Sequence, residues 1–312
     1  MSEIQVVKNH LLVVGGNGFI GKHIVTRALS LGWDITVLGI SVRPLTGRGS
    51  SRVRYVAADI TDGSALKVAL GNGAFDYVVN CGGYIEHDFF VAGGRRAIDV
   101  HFMGVMNLVE VLDRNVLRAF VNIGSSDEYG SSPSPQKETQ REQPISPYSL
   151  GKAAATHFLE MLHRTEEFPA TTLRLFLTYG PGQDQRRFLP QIILGCLEGR
   201  SFPTSKGEQV RDFCFVGDTV DAIFTALTCP SATGEVINVA SGQPFLIREV
   251  VEMIRRLIGK GEPDYGHFAY RAGENMSLYA NTEKAKRVLG WESSVSLEVG
   301  LSLTIQSMRG TI

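Results

Sequence analysis

Residues 11–21, LLVVGGNGFIG, constrain this chain more than any other stretch. Four apolar residues, 11–14, read as a buried strand. Gly15, Gly18 and Gly21 then follow in a G-x-x-G-x-x-G spacing. Beyond them Ile24, Val25, Ala28, Leu29 and Leu31 recur with the period of an amphipathic helix. The order is therefore strand, glycine turn, helix. Gly15 permits the tight turn, Gly18 lets backbone approach a pyrophosphate, and Gly21 lets helix and strand pack closely. The helix N-terminus offers free N–H groups and partial positive charge to the phosphates. Asn17, Phe19 and Ile20 complete this expected dinucleotide site. The competing interpretation is an ordinary glycine-rich turn, which the strand-then-helix setting disfavours.

Strand and helix patterns alternate beyond this point. Apolar runs predict strands over 35–38, 53–57, 76–81, 119–123 and 171–176, and helical spacing predicts a helix over 102–112. This alternation predicts an α/β fold with a doubly wound parallel sheet of the Rossmann type. The dinucleotide-binding domain is expected over 1–177, with strands near 215–240 rejoining it at 214–217 and 236–239. Residues 178–312 are expected to build mostly a smaller α/β substrate lobe. Its helices are predicted over 191–197, 218–227, 247–258 and, last, 281–289, with Trp291 in the core. A length of 312 residues allows this, and 43% hydrophobic with 20% charged residues is ordinary for a globular chain. A net charge of −1 argues against a general binder of nucleic acid or membrane surfaces. No apolar run has the length of a membrane span, and no leader pattern stands at the start, so a cytoplasmic location is expected. The four cysteines show no C-x-x-C spacing, and neither a metal site nor a disulfide frame is expected.

The cofactor site extends along the strand ends. An acidic residue ending the second strand commonly binds the adenosine ribose. Here Gly39 stands there, followed by Ser41 and Arg43, a pattern that suits a 2′-phosphate. NADP(H) is therefore expected, with NAD(H) as the alternative. Asp59 and Ile60 follow the third strand, where a carboxylate can accept from an adenine amino group. Asp59, or the Thr61-Asp62 pair, can equally cap the next helix. Cys81, Gly82 and Gly83 follow the fourth strand, beside the expected path of ribose and nicotinamide.

The fifth strand leads into Gly124-Ser125-Ser126-Asp127-Glu128-Tyr129-Gly130. After a polar loop, Ser146 reads as a helix N-cap and Pro147 as the first helical residue. Tyr148 and Lys152 then lie four apart, on one helix face. A phenol normally titrates near ~10. A neighbouring ammonium stabilises the phenolate, so Tyr148 can exchange a proton with an alcohol near neutral pH. Lys152 can also hold the nicotinamide ribose, and Ser125 can orient the reacting oxygen. Ser125, Tyr148 and Lys152 are the expected catalytic residues, and the last two also belong to the cofactor site.

Together, Gly15-x-x-Gly18-x-x-Gly21, Ser125 and Tyr148-x-x-x-Lys152 resemble the extended short-chain dehydrogenase/reductases. Within these, the chain resembles the nucleotide-sugar epimerase/dehydratase/reductase group. Further matches are Tyr179-Gly180-Pro181, Arg211-Asp212-Phe213 and Leu289-Gly290-Trp291. The resemblance implies an enzyme acting on a nucleotide-diphosphate sugar, with Arg211 clamping the diphosphate. Ser126, Asp127, Phe188 and Arg271 are the other substrate contacts it implies. Three positions depart from the pattern. Asn80 stands where many relatives carry His, His101 where many carry Asn, and Leu177 where Asn usually precedes Tyr-Gly-Pro. In dehydratases the two residues after the catalytic Ser or Thr are commonly acidic; here those positions hold Ser126 and Asp127, so one carboxylate is present. The stretch GSSDEYG looks more like that of GDP-4-keto-6-deoxyhexose reductases. The leading expectation is a 4-ketoreductase or C4 dehydrogenase, ahead of a 4-epimerase and then a 4,6-dehydratase. A homodimer is expected through the helices near 102–112 and 148–163, using Ala153, Ala154, Phe158, Leu159 and Leu162, which equally suit a core.

Overall fold

The computed structural model describes residues 8–41, 43–44, 50–270 and 274–310. It begins with the apolar run as β1 (His10–Val14), in which Leu11, Leu12 and Val13 are fully enclosed. The glycine turn leads into α1 (Phe19–Ser30) and then β2 (Asp34–Gly39). Next come β3 (Val53–Ala57), α2 (Gly63–Leu70) and β4 (Tyr77–Asn80). A short α3 (Arg95–Ile98), a π-helical turn (Asp99–Met103) and α4 (Gly104–Val111) form one continuous helical segment. β5 (Ala119–Ser125) and α5 (Pro147–Glu166) follow, then β6 (Ala170–Leu175).

The remaining elements are β7 (Leu177–Tyr179), α6 (Phe188–Glu198), β8 (Ser201–Thr204), β9 (Val210–Phe215) and α7 (Val216–Thr228). After them come β10 (Val236–Val239), β11 (Pro244–Leu246), α8 (Ile247–Ile258), β12 (Glu262–Tyr265) and β13 (Ser277–Leu278). The chain closes with α9 (Glu283–Leu289) and α10 (Leu297–Arg309).

Seven strands form the parallel sheet, in the order β10-β6-β5-β4-β1-β2-β3. In register, Val14 stands opposite Leu38 on one side and Asn80 on the other, and Asn80 opposite Asn122. The strand order reverses at β1, so the turns after β1 and β4 open at the switch point where such sheets bind ligands. The chain divides into two compact units. The first takes Met1–Glu128, Pro144–Leu173 and Ile223–Val236, and the second Tyr129–Gln143, Arg174–Ala222 and Ile237–Ile312. In the first, Leu12, Val14, Leu38, Val78, Leu108, Phe120 and Leu159 share one core. Trp33 stacks on Tyr77 at its edge, with ring centroids 4.9 Å apart. In the second unit, Ile193, Phe213, Val250, Val251, Ile254 and Leu301 form another core. There β11-β9-β13 make a sheet, with β7 also paired to β9, and β12 pairs β8.

Two expectations need correction, and two open alternatives are decided. Residues 214–217 do not return to the main sheet, because Cys214 belongs to β9 of the smaller sheet and Val216 already starts α7. Of the two caps left open for α2, Asp62 serves, its side chain accepting the Ala65 N–H at 2.9 Å. The helix ending at Gly290 is not the last. Ser296 caps α10, whose Leu297, Leu301 and Ile305 are buried, although Leu297, Val299, Leu301 and Leu303 alternate with polar or small residues like a strand. On α5, Leu159 and Leu162 belong to the first unit's core and Phe158 packs against it. Other expectations hold in detail. Ser146 and Ser149 bond reciprocally at the start of α5, Pro147 is its first residue, and Trp291 is buried.

Candidate active site

The glycine turn is tightly bonded. Gly15 donates to the Leu38 carbonyl at 2.7 Å, and Gly18 to the Gly15 carbonyl at 2.8 Å. A Cβ at Gly21 would lie 2.2 Å from the Gly15 oxygen and 2.6 Å from the Gly16 Cα, so no side chain fits there. Gly18 caps α1 without a side-chain bond, and the first turn holds no acidic residue. The leading N–H groups of α1 and its dipole therefore suit a dinucleotide phosphate. Asn17 donates its amide to the Ser41 carbonyl at 2.9 Å, joining this turn to the end of β2. Ser41 and Arg43 are exposed, and Gly39 ends β2 without a carboxylate. Phe19 and Ile20 open α1 half-buried. Asp59 accepts from the Thr61 N–H and hydroxyl at 2.9 and 2.8 Å, and those bonds hold its carboxyl below the usual range. Ile60 is buried in the core, a packing role the sequence did not suggest.

At the end of β4, Cys81 donates its thiol to the Val14 carbonyl at 3.0 Å. Burial pushes that thiol up to about 12, so it stays protonated. Gly82 donates to the Asn80 side chain at 3.3 Å, and Asn80 in turn donates to Asn122 at 2.9 Å. Gly83 takes φ +110°, and a Cβ there would stand 2.3 Å from His101 Cε1. The missing side chain leaves the space that the His101 ring fills.

The catalytic candidates stand together in the first unit. Ser125 is the last residue of β5, and its hydroxyl accepts the Asp127 N–H at 3.1 Å, leaving its own proton to donate. Tyr148 and Lys152 lie one turn apart on α5 and both are buried. Lys152 donates to the Ile123 carbonyl of β5 at 2.6 Å. Burial draws the ammonium down to about 8, against the attraction of Glu128 and Cys81. The Tyr148 ring is held edge-on by two histidines, with centroids 4.9 Å from His101 and 5.6 Å from His87. His101 accompanies the π-helical turn, a distortion frequent at functional sites. Its Nε2 lies 2.8 Å from the Tyr84 carbonyl, which makes that nitrogen the N–H donor. Burial, then Lys152, drive His101 down to about 3, so the imidazole is neutral. His87 sits 3.6 Å from the Asp127 carboxylate and 3.4 Å from Ser146 Oγ. Ser126 is buried beside Ser125.

The substrate contacts expected from Arg211 and Phe188 belong to the second unit. Arg211, in β9, donates to the Val210 carbonyl at 2.9 Å and pairs with Glu274. Phe188 opens α6 and packs against that unit's core. Arg271 lies outside the described residues. Arg186 is bound to Asp184 on the surface. Sequence reasoning missed Glu128. It is fully buried between β5 and α5, and only its place in an acidic pair after the strand signalled it.

The model of the NAD dependent epimerase/dehydratase family matches residues 11–240. The dTDP-glucose 4,6-dehydratase of Xanthomonas campestris pv. campestris is 30% identical, over 94% of this chain and 91% of its own. Among solved structures, the UDP-glucose 4-epimerase of Thermotoga maritima with UDP-glucose superposes with a TM-score of 0.88 at 27% identity, covering 97% of this chain and 99% of that one. The dTDP-glucose 4,6-dehydratase of Bacillus anthracis in complex with NAD gives a TM-score of 0.85 at 25% identity, with 97% of both chains covered. This chain belongs to the NAD-dependent epimerase/dehydratase family, and is an NAD-dependent enzyme of the extended short-chain dehydrogenase/reductase kind.

Proposed function

We propose that this enzyme transfers hydride at C4 of a nucleoside-diphosphate hexose, and that its net reaction is reduction of a 4-keto-6-deoxy sugar or the reverse oxidation. The observation that carries this is the buried ammonium of Lys152, anchored to β5 and one helical turn from the Tyr148 phenol. Bound NAD(H) supplies or accepts the hydride. In reduction, Tyr148 gives its phenolic proton to the carbonyl oxygen, which becomes the hydroxyl. Ser125 donates a hydrogen bond to that oxygen. Lys152 stabilises the phenolate left behind, and such proton transfer contributes roughly 10²–10⁴-fold in rate.

Elimination of water requires a further acid and base beside Ser125. Ser126 provides only a hydroxyl, leaving Asp127, 3.6 Å from His87, as the one carboxylate in the two positions after Ser125, which supports oxidoreduction over dehydration. A 4-epimerase is the second reading, favoured by the likeness to the Thermotoga maritima enzyme. Gly39 and the exposed Arg43 support use of NADP(H) beside NAD(H). In the second unit, Arg211 suits the diphosphate because a guanidinium can bind it bidentately, displacing Glu274. Phe188, Ser126 and Asp127 are our remaining candidates for substrate contact. No helix among the described residues is long and apolar enough to cross a membrane.

The test is incubation with NADH or NADPH and dTDP-, GDP-, CDP- or UDP-linked 4-keto-6-deoxyhexoses. Stoichiometric loss of the reduced nicotinamide band with one of them establishes the reductase. Interconversion of UDP-glucose and UDP-galactose with no net absorbance change establishes the epimerase instead. Formation of a 4-keto-6-deoxy product from a hydroxy sugar nucleotide overturns both. We also propose a homodimer, which light scattering checks against the chain mass of 34.1 kDa.

A further inference from the structure

The catalytic face of α5 extends one turn beyond Lys152. Tyr148, Lys152 and Thr156 are spaced four apart and all are buried, so they form one row facing β5. Glu128 lies against that row. One of its oxygens, Oε1, accepts the Ser125 backbone N–H at 2.8 Å, and Oε2 accepts the Thr156 hydroxyl at 2.9 Å. Its side chain is fully buried. A carboxylate without exposure is expensive unless it is bonded and paired with a charge. Here both oxygens carry hydrogen bonds, and Lys152 is a buried cation one turn before Thr156 on the same row.

We propose that Glu128 is a positioning residue of this enzyme, tying the backbone of Ser125 to the Tyr148–Lys152–Thr156 row of α5 and supplying the counter-charge that keeps Lys152 an ammonium. The inference rests on the reading of Ser125, Tyr148 and Lys152 as the reacting set. The alternative is a purely structural strap between β5 and α5. The two differ in what removal of the charge does. The groups facing Lys152 are Glu128 after β5, Cys81 after β4, His101 on the π-helical turn, and Tyr148 on its own helix. Cys81 stays a thiol and His101 a neutral imidazole near neutral pH. Of these four, Glu128 is the carboxylate. Burial already draws Lys152 down to about 8, and Glu128 opposes that fall. Without the carboxylate the amine releases its proton at lower pH.

The experiment compares the full-length protein with Glu128→Gln and Thr156→Val, without any substrate. Lysine labelled with ¹³C at Cε reports each amine, and the Lys152 signal is assigned by its loss in Lys152→Met. The expected Lys152 midpoint falls about tenfold in proton affinity or more in Glu128→Gln. In Thr156→Val it stays close to that of the unchanged protein, because the charge remains. An unchanged midpoint in folded Glu128→Gln overturns the proposal and leaves a strap alone. Once a substrate is in hand, the loss of hydride transfer at rising pH should move to lower pH by the same amount in Glu128→Gln. A profile that only scales down, with its alkaline limb in place, also overturns it. Failure of the underlying catalytic assignment looks different: Tyr148→Phe and Lys152→Met then retain turnover, while the titration in Glu128→Gln still moves.

Discussion

Replacing Lys152 by Met tests the electrostatic reading of the site through stability, without knowledge of the substrate. Lys152 is buried, and that burial draws its ammonium from the ordinary lysine value of 10.5 down to about 8. Because the folded value is depressed for a base, the folded state carries a penalty whenever the lysine is charged. That penalty is fully present below pH 8 and is relieved as the pH rises from 8 toward 10.5, where the unfolded chain binds more protons than the folded one. At ~1.36 kcal/mol for each tenfold change in proton affinity, that depression amounts to about 3 kcal/mol at the limit. Between pH 7 and pH 9.5 the same two values give a gain of about 2 kcal/mol. Lys152→Met has no such group. Urea denaturation of both proteins across that range should therefore show the unchanged protein gaining about 2 kcal/mol on the variant. The difference cancels the other titrating groups common to both chains. Parallel stability profiles would show that Lys152 is not a desolvated cation, and the argument for its role beside Tyr148 would fall.

Other outcomes follow from the same geometry. Tyr148→Phe removes the phenolic proton and should lower turnover by roughly 10²–10⁴-fold while leaving nucleotide binding in place; a loss under threefold in steady-state rate would refute its role. Gly21→Ala drives a Cβ to 2.2 Å from the Gly15 oxygen, against backbone that cannot rotate away. It should destabilise the fold by about 1–3 kcal/mol and weaken NADH binding, read by calorimetry; unchanged affinity and stability would contradict the turn geometry. Asp218 accepts bonds from both Ser294 groups, the Ser293 hydroxyl and the Val295 N–H. Asp218→Ala should cost about 3 kcal/mol in denaturation, and a cost below ~1 kcal/mol would show that these donors find water instead.

The sequence alone determined whatever depends on local periodicity. The apolar run before Gly15, the glycine spacing and the helical recurrence after Gly21 define β1, the turn and α1, because strand, turn and helix each have a short-range code. The Ser146-Pro147 start of α5 and the spacing of Tyr148 and Lys152 were legible for the same reason. Tertiary structure decided the rest. The register of β9 puts Cys214 in the smaller sheet, since strand partners are chosen by long-range pairing and not by composition. Asp59 and Asp62 look alike in sequence, and only backbone direction shows which one meets the Ala65 N–H. Glu128 sits in a polar stretch after β5, and becomes a buried carboxyl group because the folded chain delivers it against Thr156 of α5. Burial is set by what the folded chain brings from elsewhere, so the titration of Lys152, His101 and Cys81 belonged to the fold and could not be written in neighbouring residues.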